Sequence, residues 1–283
     1  MISRNKGILS LEFLVPNVGL LLSVIGVGLF YHFVVTPNAN ALMIERQVRA
    51  DSGKLSTHGA EERSVYLIIK DPEPKWEVTF CVWGLLVLTY KLYQISRERK
   101  LLQQDFVRVQ PGERIIPEDA FDRYKELRTA ISREPRWRER LLPECVLAAL
   151  HRFHATSSIQ DASNAIKERA EMAADQLDSS LSLVRYIAWA IPAIGFVGTV
   201  RGIGDALSFA EQAIKGDISA LTANLGLAFN STFVGLMLCI VLMYVLHMVQ
   251  SQQESFIIET QTYCRDKLID VMKVPTKEEN VRS

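Results

Sequence analysis

The chain has 283 residues, 48% of them apolar and 23% charged, with 32 basic and 32 acidic side chains. Zero net charge leaves no global field to draw it toward nucleic acid. The four cysteines, Cys81, Cys145, Cys239 and Cys264, have neither paired nor metal-ligand spacing, which argues against a disulfide framework or a zinc site.

Charge and apolarity are segregated along the chain. Four apolar runs compare with the roughly 20 residues that a spanning helix needs. The first covers about 15–35, with Gly19, Gly26 and Gly28 inside it. Arg4 and Lys6 precede it and Ala39-Asn40-Ala41 resembles a cleavage site. The run is longer than the about 7–15 residues of a signal peptide, so an uncleaved span is expected. The second run, 78–93, is short and flanked by Trp76, Trp83, Tyr90 and Tyr93, with Lys91 able to snorkel at its end. The segment between these two, about 36–77, is expected as an extracytoplasmic loop.

The stretch after the second run is basic, from Lys91 through Arg97, Arg99, Lys100 and Arg108 to Arg140. By the positive-inside rule it faces the cytoplasm, and so do both termini. Residues 94–182 read as a cytoplasmic helical segment. Pro117-Glu118-Asp119-Ala120 has the form of a helix start. Pro135 and Pro143 are expected to break the run. Ile159, Ala162, Ile166, Ala170, Ala173 and Leu177 recur at steps of three or four, as one face of a helix does. That helix is expected to run straight into the third apolar run, about 183–209. The fourth covers about 222–249. The tail 251–283 carries Phe256, Ile257, Tyr263, Leu268 and Met272 amid charge, and is expected to continue as a helix until Pro275.

These elements define an all-α fold: a polytopic membrane helical bundle of four transmembrane helices with long cytoplasmic helical extensions. It divides into a two-span hairpin (1–93), the cytoplasmic segment (94–182), a second two-span unit (183–250) and the C-terminal helix and tail (251–283).

On a helical wheel, Ala188, Pro192, Gly195, Thr199, Gly202 and Ala206 share one narrow stripe of the third span. Ala228, Thr232, Gly235 and Cys239 form a similar stripe in the fourth. Small stripes permit close helix packing, and a lone buried Thr often bonds its own backbone one turn back. A glycine-rich nucleotide loop needs a strand before it, and Gly195, Gly198, Gly202 and Gly204 lie within an apolar span, which excludes that reading. His151 and His154 have no further ligands beside them and read as surface residues. Nor is there a nucleophile with a base, so an enzyme is not expected.

The segment Ile191-Pro192-Ala193-Ile194-Gly195-Phe196-Val197-Gly198-Thr199-Val200-Arg201-Gly202-Ile203 resembles the signature of the MotA/TolQ/ExbB proton channel family. Leu227-Ala228-Phe229-Asn230-Ser231-Thr232-Phe233-Val234-Gly235-Leu236 is similar to that family's last span. The resemblance covers about 172–250. Four spans around a cytoplasmic segment look like the MotA arrangement, while the Gly-Thr-Val core looks like ExbB and TolQ; the mixture implies a less-studied branch, such as the channel subunit of a phage-defence motor.

The resemblance implies a homopentamer in the bacterial inner membrane around a single-span MotB/TolR/ExbD-like partner. It implies that Thr199 and Thr232 line the pore, with Pro192, Gly195, Gly202, Ala228 and Gly235 in the same stripes. Gly198, Arg201, Asp205 and Asn230 are left for packing or gating. Arg201 points away from Thr199 and is expected to pair with Asp205, four residues on; Asn230 is expected to make an interhelical hydrogen bond. No Asp or Glu falls in the middle of a span, and a threonine hydroxyl holds no proton at accessible pH. The titratable carboxylate of a proton device is therefore expected from the partner. No cofactor is implied; the cargo is a proton, with sodium as the alternative. The rival reading is a structural membrane scaffold that uses the small stripes for packing alone.

Overall fold

The computed structural model describes residues 11–51, 64–107, 109 and 112–274. They form α1 (Leu11–Phe30), α2 (Thr36–Asp51), α3 (Val65–Ile69), α4 (Pro72–Arg99), α5 (Pro117–Arg133), α6 (Leu141–Thr156), α7 (Ile159–Ser179), α8 (Ser182–Leu207), α9 (Ala210–Ile214) and α10 (Ser219–Lys267). Among the described residues there is no strand, only an isolated bridge between Ile115 and Met272. Four helical stretches are long and apolar enough to cross a membrane: Leu14–Glu45, Pro72–Gln103, Ile159–Leu207 and Ser219–Val271. The protein is thus an all-α, multi-pass membrane bundle. The described residues fold as two compact units, one holding those up to Thr89 together with Leu183–His247, the other holding those of Tyr90–Ser182 and those from Met248 to Val274.

In the first unit, α1 and α2 are joined by a π turn, Tyr31–Val35, in which the Thr36 N–H donates to the Tyr31 carbonyl. The expected loop from 36 therefore begins as helix. Pro37 explains the π turn: a proline ring crowds the carbonyl four residues back, here Phe33, and a widened turn there relieves it. Tyr31, Val27 and Val35 are buried, with Ile69, Val78 and Val82 packed against them. The Trp83 indole N–H donates to the Pro16 carbonyl at 2.8 Å, tying α4 to α1. α4 starts at Pro72, so residues 72–77 also leave the expected loop and the second span is longer than 78–93. Pro at the first helical position and Glu73 in the first turn are favourable helix starters.

A turn connects α9 to α10. Gly216 takes φ +100°, a left-handed value that a side chain would strain, and the Asp217 N–H returns to the Gln212 carbonyl. The exposed Asp217 carboxylate then accepts from the Ser219 hydroxyl and backbone N–H, which holds its pKa below the ordinary value. α10 has 49 residues. At about 1.5 Å per residue it is about 74 Å long, more than twice the about 30 Å hydrocarbon core, so much of it lies beyond the membrane.

The second unit has its own core, built from Leu142, Val146, Leu150 and Phe153 of α6, Ala162 and Ile166 of α7, and Cys264 and Leu268 at the end of the chain's last helix. α5 starts at Pro117 as expected and stops before Pro135. Pro143 breaks nothing: it sits in the first turn of α6, where its missing N–H has no helical partner to lose. Ser158 caps α7 by accepting from the Asp161 N–H at 3.2 Å, and Ala162, Ile166 and Ala170 are its buried stripe. α7 runs on into α8 within the stretch Ile159–Leu207, with one local tightening. The Leu181 N–H bonds the Asp178 carbonyl, a tighter turn at Ser180–Leu181. The tail does continue as helix, to Lys267, and Ile115 pairs with Val271 and Lys273 beyond it. Pro275 lies outside the described residues.

His154 bonds the Pro117 carbonyl at 2.9 Å and stacks on Phe121, and His151 packs against Tyr124. No group of three or more potential metal ligands occurs among the described residues. Phe153 is fully buried. Phe153→Ala is expected to destabilise this unit by about 3–5 kcal/mol, seen as a lowered thermal midpoint in a helicity melt.

Candidate functional site: the α8–α10 seam

The two small stripes meet. Thr199 and Thr232, half-buried, hydrogen-bond each other through their hydroxyls. Each hydroxyl also lies within reach of a carbonyl of the facing helix, Thr199 of Ala228 at 3.1 Å and Thr232 of Gly195 at 2.9 Å; with one hydrogen apiece, one threonine donates to the other, which donates to its carbonyl. Further along, the Cys239 thiol donates to the Ala188 carbonyl at 3.2 Å. Only side chains this small allow two helix backbones so close.

The glycines measure that closeness. A Cβ at Gly202 would lie 2.7 Å from the Cβ of Ala228, and one at Gly198 would lie 2.8 Å from the Cβ of Ser231. At Gly195 it would meet the Thr232 Cα at 3.0 Å and the Ser231 carbonyl at 3.1 Å. Gly195, Gly198, Gly202, Ala228 and Gly235 are buried within the single chain, and Pro192 is half-buried inside α8. By contrast Phe196, Val197, Val200, Phe229 and Phe233 are exposed on the single chain.

Three expectations about this region are corrected. Arg201 does not pair with Asp205; its guanidinium bonds Glu73 of α4 at 2.8 Å, and Asp205 is exposed. Contact across the helices replaces the local pair because the start of α4 packs against α8, where Gly198 leaves room for the Glu73 stem. Asn230 is half-buried and makes no interhelical hydrogen bond among the described residues.

The third correction concerns carboxylates. Glu77, assigned from sequence to an outer loop, is in α4 and fully buried. Its Oε1 accepts from the Ser231 hydroxyl at 3.5 Å. It lies in the second turn of α4 and packs against Gly195, at the midpoint of α8, so a buried carboxyl faces the seam from this chain itself. Sequence reasoning missed it because residues 70–77 look like a charged, proline-containing link. The available signal was Glu73 and Glu77 four residues apart after Pro72, which puts both on one helix face. Just before α4, burial holds the Asp71 carboxyl above the usual range, against the downward pull of Lys70 and Arg201.

A multi-pass helical membrane protein with a small-residue seam between its last two spans is the class that fold and site define. Residues 138–262 match the model of the MotA/TolQ/ExbB proton channel family. The match reaches further than the 172–250 expected from motifs, taking in α6, α7 and most of α10. No curated protein and no solved structure matches the chain.

Proposed function

We propose that this protein is the channel subunit of an ion-driven, stator-like motor of the bacterial inner membrane, with both termini cytoplasmic. The observation that carries the reading is the bonded pair Thr199–Thr232 at the centre of the family domain. In a homopentamer, these half-buried hydroxyls, with Pro192, form the wall along which protons pass to a carboxylate of a single-span MotB/TolR/ExbD-like partner, while Gly195, Gly202, Ala228 and Gly235, buried in the seam, hold the two helices close behind them. Hydroxyls donate and accept at once, so they can hand on a proton or ligate sodium. Arg201, held by Glu73, keeps its charge off the threonine pair. α5, α6, α7 and the end of α10 transmit the resulting movement to the driven component.

The test is native mass spectrometry of the tagged chain, extracted in mild detergent after co-expression with its genomic neighbour. Five copies of the chain with a bound single-span partner are expected. A monomer or dimer that recruits no such partner under several mild extractions would overturn the motor reading. It would favour a scaffold, for which the tight contacts at Gly198 and Gly202 are sufficient reason for the small residues.

A further inference from the structure

Glu77 needs an explanation that the threonine wall does not supply. It is 0% exposed, and its Oε2 is among the buried polar atoms without a hydrogen-bond partner. Its pocket is built for it. A Cβ at Gly195 would lie 3.0 Å from Oε1, and one at Gly235 would lie 3.2 Å from it. Two glycines on two helices therefore leave the space that this carboxyl fills, and the Ser231 hydroxyl points to it from α10.

Among the described residues no cation neutralises it. Arg201 of α8 is engaged by Glu73, and Lys75 lies over the Tyr31 ring, 5.9 Å from its centre. The other charged or titratable groups around it are Glu73 from its own helix and Tyr31 from the π turn; α10 offers the neutral Ser231. Tyr31 is buried too, stands in the π turn, and its hydroxyl likewise has no hydrogen-bond partner. A buried charge without a cation is costly, whereas a protonated carboxyl is neutral. π turns occur often at functional positions, which suits a group that must change state.

We propose that Glu77 is a proton-binding site in the wall of this chain, taking up one proton on Oε2 and releasing it again. The step is a simple acid–base exchange: carboxylate and proton combine to a neutral carboxyl and separate, with no other reactant. The Ser231 hydroxyl, next in the chain to Thr232, is the nearest group that can pass a proton on while regaining one. The inference rests on the channel reading and adds to it a titratable stop supplied by this subunit rather than by the partner.

Infrared difference spectroscopy of the full chain in lipid vesicles, titrated with pH, tests it without a flux assay. One carboxyl C=O band that grows as pH falls is expected in the wild type. It should be lost in Glu77→Gln and moved in Glu77→Asp. A Glu77→Gln spectrum with the wild-type carboxyl bands overturns the proposal. So does a Glu77 band that stays constant across the whole titration, or one displaced by sodium at fixed pH. If Glu77→Gln fails to assemble, an Asp variant whose bands match the wild type in position and midpoint overturns it instead. A titrating Glu77 band in a protein that forms no channel would leave the site standing and remove only the motor reading.

Discussion

Replacing Gly202 or Gly195 with leucine is expected to stop the protein from assembling. At Gly202 the atoms in the way are the Ala228 backbone and Cβ, at 2.7–3.1 Å from an added Cβ; at Gly195 they are the Thr232 Cα and the Ser231 carbonyl at 3.0–3.1 Å, together with the Glu77 Oε1 at 3.0 Å. The backbone and Cβ atoms cannot rotate away as a flexible side chain does, so α8 and α10 must separate. Overpacking of this kind costs about 1–3 kcal/mol for added methylenes and more where backbone must move. Separation also breaks the Thr199–Thr232 bond and the bond from one of the pair to a carbonyl of the facing helix, at about 1 kcal/mol each. Gly204 and Gly226 are the controls, because a Cβ at either meets nothing within 4 Å. Gly204→Ala and Gly226→Ala should migrate as wild type in size-exclusion chromatography, while Gly202→Leu and Gly195→Leu should be lost as aggregate. Equal behaviour of the two sets would contradict the packing described for the seam.

Thr199→Val and Thr232→Val are expected to abolish proton flux while leaving assembly intact. Valine keeps the branched shape of threonine and removes only the hydroxyl. Each variant forfeits hydrogen bonds worth about 1 kcal/mol, too little to unfold the bundle but enough to break a chain of hydroxyls. Flux into vesicles holding the chain with its partner, read with a pH-sensitive dye, checks this. A scaffold predicts the reverse sensitivity: the glycine variants fail and both threonine variants behave as wild type. Wild-type flux in both valine variants would remove the pore assignment.

These two results separate what the glycines do from what the threonines do, and the sequence already held that distinction. The stripes are visible on a helical wheel because spanning helices are regular and long, so spacing translates directly into faces. The start of α5 at Pro117, the buried face of α7 and the helical tail were legible for the same reason. Local exceptions were less so. Pro143 was read as a breaker but falls in a first turn, and Pro37 was absorbed by a π turn instead of ending the helix. In both places the proline effect was real, and its outcome depended on where the helix began.

Partners across the bundle were the least legible. Arg201 had a carboxylate four residues away in Asp205, yet bonds Glu73. Glu77 sits in a polar stretch of sequence, yet is buried to 0% exposure. The spacing of Glu73 and Glu77 gives their shared helix face but not the burial, because the space is made by glycines on α8 and α10.

The sequence by itself determined the four spans, the all-α class and the small stripes with their two threonines, since each depends on composition and period within one segment. The tertiary structure alone decided that the threonines bond each other, that Arg201 turns to α4, and that a carboxyl rests at the middle of α8. Those depend on which helices lie side by side, and side-chain pairing across helices follows from depth and contact, which a linear order of residues does not encode.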